Sequence, residues 1–71
     1  MTVKQINSAI KKFNLEVIKG EGYYYFVDID SKSQIGPSIN VRYLKDLSKQ
    51  EWLEEADGAL REHNEMYNEY V

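Results

Sequence analysis

The chain is predicted to be an α+β domain of order α-β-β-β-α: a three-stranded antiparallel sheet with two helices packed on one face, the C-terminal helix being the longer. Three observations predict it. Capping-box patterns open two segments of helical periodicity, at Thr2 and at Ser48. Between them lies the aromatic and β-branched run Tyr23–Ile29, YYYFVDI, the strongest strand signal in the chain. Turn residues at Gly20-Glu21-Gly22 and Gly36-Pro37 divide the middle of the chain into short strands. Two helices on one face of such a sheet make the simplest two-layer solution.

The first helix is expected over Val3–Phe13. Thr2 and Gln5 form the T-x-x-Q capping box, and Val3, Ile6, Ala9, Ile10 and Phe13 recur at three- and four-residue steps. Asn14 tolerates the left-handed conformation that ends a helix. Leu15–Lys19 then reads as a strand, Gly20-Glu21-Gly22 as a hairpin turn and Tyr23–Ile29 as its partner strand. Asp30–Ser38 reads as a polar loop, and Ile39–Tyr43 as the third strand. Placing the odd positions of all three strands inward buries Leu15, Val17, Tyr23, Tyr25, Val27, Ile29, Ile39, Val41 and Tyr43. Ile18, Tyr24, Phe26 and Arg42 are then left together on the open face.

Ser48–Tyr70 reads as one long helix. Ser48 and Glu51 form its capping box, with Leu47 and Trp52 set for a hydrophobic staple. Trp52, Ala56, Leu60, His63, Tyr67 and Tyr70 form its apolar stripe, and Gly58 falls on the polar side at a cost of about 1 kcal/mol relative to Ala. A helix of this length, about 34 Å, outruns strands of about 17–24 Å. Its last turns, with Met66, Tyr67 and Tyr70, therefore need covering, by the first helix lying alongside or by a second molecule, and are a predicted self-contact.

Length and composition bound the function. Seventy-one residues form one domain. The chain has no cysteine, so disulfides and thiolate metal clusters are excluded. It has no apolar run of membrane-spanning length and no signal-peptide pattern, so a soluble, cytoplasmic protein is expected, in a bacterial or host cytoplasm. Charge divides unevenly: residues 1–45 carry seven Lys/Arg against four Asp/Glu, residues 46–71 two against eight. That acidic second half argues against a nucleic-acid partner.

No motif supports catalysis. His63 stands on the apolar stripe, as a half-buried core residue with a local partner would; the chain has no Cys, and the carboxylates of this helix fall on its opposite face, so the sequence names no acid/base pair. Asp28-Ile29-Asp30-Ser31 opens like a calcium loop, but Lys32 and Ser33 stand where an acidic or amide ligand and Gly belong. Gly20-Glu21-Gly22 is too short to cradle a phosphate and precedes a strand. The expectation is a non-enzymatic protein with no cofactor and no metal.

Two surfaces remain as partner-binding candidates. One is the open sheet face, Ile18, Tyr24, Phe26 and Arg42, an aromatic and Arg composition typical of interface hot spots. The same face could be covered by a helix or could build a homodimer. The other is the carboxylate face of the last helix: Glu51, Glu54, Glu55, Glu62, Glu65 and Glu69. Its bland reading is an ordinary solvated helix face; its functional reading is docking onto a basic protein surface. An alternative function, a sheet that stacks single-stranded nucleic acid, rests on the tyrosine-rich strand and on nearby Lys19, Arg42 and Lys45.

The segment Leu15–Ala56, with LEVIKGEGYYYFVDID, INVRYL and LSKQEWLEEA, resembles a group of small phage and prophage proteins. They share L-E-V-x-x-G-x-G-Y-x-Y-F, a variable polar loop, a short aliphatic strand and L-S-x-x-x-W. The resemblance implies a viral or prophage origin and an accessory role, binding and blocking a host protein. Anti-CRISPR and other anti-defence proteins are the extreme cases. The group has no assigned chemistry, so the resemblance gives no residue a role.

Overall fold

The structure, a computed structural model, describes residues 1–68, and side chains through residue 65. Helix α1 spans Val3–Ile10 and tightens into a 3-10 turn at Lys11–Phe13. Its capping box forms as expected: Gln5 N–H donates to Thr2 Oγ1 at 3.2 Å, and Thr2 N–H to Gln5 Oε1 at 2.9 Å. Asn14 ends the element in the left-handed conformation, φ 58°.

Strands β1 (Leu15–Lys19), β2 (Tyr24–Asp28) and β3 (Gln34–Ile39) form one antiparallel sheet in that order. The turn between β1 and β2 closes with Gly20 N–H donating to the Tyr23 carbonyl at 2.8 Å. It leaves two loop residues, Glu21 and Gly22, and Gly22 takes φ +78°. Gly20 is required for a different reason, since an added Cβ would lie 2.3 Å from the Tyr23 ring.

That two-residue loop corrects the expected parity. It pairs Val17 with Phe26 and Lys19 with Tyr24, odd positions with even ones. Residues directly opposite in an antiparallel pair share a face. The core face therefore carries odd positions on β1 and even positions on β2. Leu15 and Val17 are buried as expected, but so are Tyr24 and Phe26, while Tyr23 is exposed and Tyr25 only half-buried.

The third strand also lies elsewhere than expected. Asp28 closes a tight turn instead of opening a long loop. Its Oδ1 accepts the N–H groups of Asp30 and Ser31, both at 2.9 Å, and its own N–H donates to Ser33 O. The chain thus reverses within four residues, and Gln34–Ile39 becomes β3. Gly36 and Pro37, which read as a turn, lie within this edge strand. A proline is tolerated there because the outer edge needs no N–H, and a register irregularity between Tyr24 and Phe26 accommodates the segment. Of the expected strand Ile39–Tyr43, only Ile39 is in the sheet; Val41 is half-buried against the core and Tyr43 is exposed.

A second 3-10 turn, Leu44–Asp46, leads into helix α2, Lys49–Asn68. The capping box at its start forms: Glu51 N–H donates to Ser48 Oγ at 3.1 Å and Ser48 N–H to Glu51 Oε1 at 3.0 Å. Both helices lie on one face of the sheet and share one core: Ile6 and Ile10 from α1, Leu15, Val17, Tyr24, Phe26 and Ile35 from the sheet, and Trp52, Ala56 and Ala59 from α2. Trp52 is its centre. It is fully buried, meets the rings of Tyr24 and Phe26 edge-on at 5.6 and 6.2 Å, and donates its indole N–H to Leu44 O at 2.8 Å.

At Gly36 the sheet and α2 nearly touch. Its φ is +76°, and an added Cβ would sit 2.7 Å from the Ala59 Cβ. Gly36→Ala is expected to cost about 2 kcal/mol or more, combining backbone strain with overpacking. Urea unfolding followed by circular dichroism measures it, and a neutral result would mean that α2 does not sit this close to β3.

The body measures 39 × 22 × 20 Å, and α2, about 30 Å long, runs along more than the sheet. Arg61, Glu62, Asn64 and Glu65 are exposed and His63 is half-buried. The predicted self-contact falls outside what is described, Met66 and Tyr67 in their side chains and Tyr70 altogether. Among the described residues, no helix is long and apolar enough to cross a membrane.

Candidate functional site

The sheet face away from the helices is uncovered. Pairing sets Ile18 opposite Tyr25, and Glu16 opposite Val27, which in turn faces Gln34 on β3. The Tyr23 and Tyr25 rings lie side by side, centroids 6.0 Å apart and tilted by 32°. Tyr23 is held there because its ring packs over Gly20. Val27 is only 6 % exposed although it points away from the core; above it, Lys32 Nζ bridges to Glu16 Oε1 at 2.9 Å. The face thus carries a compact aromatic and aliphatic patch, Ile18, Tyr23 and Tyr25, bordered by one ion pair.

The expected open-face set is therefore only partly found together here. Ile18 is on this face. Tyr24 and Phe26 are not: they are 4 % and 1 % exposed and belong to the core beneath Trp52. Their withdrawal as contact residues follows from the hairpin register. Tyr23 and Tyr25 take their place, and a count of the loop residues between Gly20 and Tyr23 is the signal that would have found them. Arg42 is exposed in the segment after β3.

On α2, Glu51, Glu54, Glu55, Glu62 and Glu65 are all exposed, and Glu69 lies outside the described residues. They are not equivalent. Glu51 is occupied by the capping box, and Glu54 Oε1 accepts from Gln50 Nε2 at 3.4 Å. Asp57 pairs with Arg61 at 3.1 Å. Glu55 and Glu62 flank Gly58 along a shallow groove of about 220 Å³ whose other wall is Pro37 and Ile39 of β3.

The Asp28 turn does not gather a metal site. Asn14 Nδ2 donates to Asp28 Oδ2 at 3.2 Å and to Asp30 Oδ2 at 3.0 Å, tying the end of α1 to the turn. The Ser31 backbone N–H holds the Asp28 carboxyl below its ordinary range, against a partial desolvation that pushes it up; the Asp30 N–H and the Asn14 amide add to the lowering. These are the hydrogen bonds of a structural turn. Among the described residues no cluster of three His, Asp or Glu side chains is placed to hold a metal ion.

No family model, curated protein or solved structure matches this chain.

Proposed function

We propose that the protein is a non-enzymatic interaction module whose open sheet face binds another protein, and that it is a phage or prophage accessory protein acting on a host target, with anti-defence activity such as anti-CRISPR the most specific form of that role. One observation carries the binding reading: Tyr23 and Tyr25 stand together beside Ile18 on a sheet face that neither helix covers. Aromatic side chains offer a large contact area at low entropic cost and dominate interface energetics. The exposed carboxylates of α2 would favour a basic partner by steering.

The test is affinity capture from bacterial lysate with the chain as bait, beside the double variant Tyr23→Ala, Tyr25→Ala. The wild type is expected to retain a defined protein, and the double variant to lose it by tenfold or more with an unchanged circular dichroism spectrum. Equal retention by both would remove the sheet face from the reading.

A second reading, single-stranded nucleic-acid binding, gains from the same two rings, since a tyrosine pair on an open sheet can stack bases. It is weakened by the charges: Lys32 at that face is engaged by Glu16, and the chain is net acidic. An electrophoretic shift with short oligonucleotides at low salt is the most permissive condition; no shift there ends it.

A further inference from the structure

The two edges of the sheet carry helices whose exposed charges are of opposite sign. On the β1 side, a groove of about 540 Å³ runs between α1 and β1, with Val3, Leu15 and Ile29 as its apolar lining, Lys4, Asn7 and Ser8 along α1, Lys11 at the start of the 3-10 turn that follows, and Glu16, neutralised by its ion pair with Lys32, on β1. On the β3 side, Glu55 and Glu62 flank Gly58 on α2. Lys4 and Lys11 are seven residues apart, and so are Glu55 and Glu62. Glu55 and Glu62 are therefore about 10.5 Å apart along α2, nearly two turns on one face, and Lys4 on α1 and Lys11 at the start of the 3-10 turn have the same separation in sequence.

Between the lysines stand the small side chains Asn7 and Ser8. Between the glutamates stands Gly58, with open space above it: an added Cβ would meet nothing within 4 Å. Among the described residues nothing requires a glycine at this mid-helix position, although it weakens the helix. Lys4 lies in the first turn of α1, which has no acidic residue, and so opposes its helix dipole.

We propose that the α1–β1 groove of one copy receives the Glu55–Gly58–Glu62 face of α2 from a second copy, Lys4 and Lys11 pairing with the two carboxylates while Gly58 lets the helices approach closely. The occupant is a second copy because the complementary charge, at the complementary spacing, is on this same chain. Groove and acidic face lie at opposite sheet edges, so the contact is heterologous and repeats from copy to copy instead of closing as a two-fold dimer. Strand pairing across the edges is disfavoured. The outward N–H of Val17 is taken by Asn7 Oδ1 at 2.7 Å, and Pro37 on β3 has none. The contact therefore runs through helices.

Sedimentation velocity on the full chain tests this. At about 0.01 M salt the weight-average mass is expected to climb with protein concentration beyond twice the 8.4 kDa of one chain, and to return to that of one chain at about 1 M salt, where the screening length is about 3 Å. Lys4→Glu with Lys11→Glu, and separately Glu55→Lys with Glu62→Lys, should each abolish association, and mixing the two variants should restore it. Gly58→Gln keeps every charge and removes a helix-weakening residue. It should raise the melting temperature yet weaken association at least tenfold. A monomer at every concentration in low salt overturns the proposal, as does association that ignores both charge reversals or stops at a dimer.

Discussion

Trp52→Ala is expected to remove about 3–5 kcal/mol of stability, most of what a domain of this size possesses at roughly 0.05–0.15 kcal/mol per residue. Three losses combine. The buried ring leaves a cavity, Tyr24 and Phe26 lose their edge-on partner, and Leu44 O loses the indole N–H. Trp52→Phe separates them, because it keeps an aromatic ring but cannot reach the carbonyl. Its cost should be smaller, of the order of 1–3 kcal/mol for the orphaned acceptor plus the volume difference. Urea denaturation followed by far-ultraviolet circular dichroism is the appropriate readout, since Trp52 is the chain's single tryptophan and its fluorescence disappears with it. A Trp52→Ala protein that melts like the wild type would displace Trp52 from the centre of the core.

The second large effect compares two double variants that differ only in parity. Tyr24→Ala with Phe26→Ala is expected to leave the chain unfolded at room temperature, because Phe26 alone accounts for about 3–5 kcal/mol and Tyr24 is 4 % exposed. Tyr23→Ala with Tyr25→Ala should fold, with a loss of about 1–2 kcal/mol for the cross-strand pairing of Tyr25 with Ile18 and the Tyr23–Tyr25 contact. Thermal melts of the four proteins, wild type and three variants including Phe26→Ala, decide the assignment of faces. If the first double variant folds and the second does not, β2 is inverted and the sheet-face reading fails with it.

Features that depend on a few neighbouring residues were legible in the sequence. Both capping boxes form as expected, Asn14 takes the left-handed conformation, and the hairpin turns at Gly20–Gly22. The α-β-β-β-α order and the common face of the two helices also followed, since helical periodicity and strand composition are segment properties. What escaped depended on how segments meet. The register of β1 against β2 is a property of the loop between them, and YYYF offers an apolar residue to either face. The third strand was misplaced because Gly36-Pro37 carries a strong turn signal while Ile39–Tyr43 alternates cleanly. The Asp28 hydrogen bonds and the approach of Ala59 to Gly36 override both. For the candidate face this means that parity along β1 places Ile18 outward as the structure does, whereas on β2 it assigns Tyr24 and Phe26 to the open face and the structure puts them in the core.

The run Tyr23-Tyr24-Tyr25-Phe26 makes β2 a strand with two usable sides. Its orientation is dictated at its ends, by the two loop residues Glu21 and Gly22 and by the Asp28 turn, and hardly at all by its own composition. Losing or gaining a single codon in the loop would turn the strand over and exchange the surface aromatics with the core ones, while every other residue of the chain stayed the same. A lineage carrying such a strand could present a different outward face in one step and still fill its interior with rings.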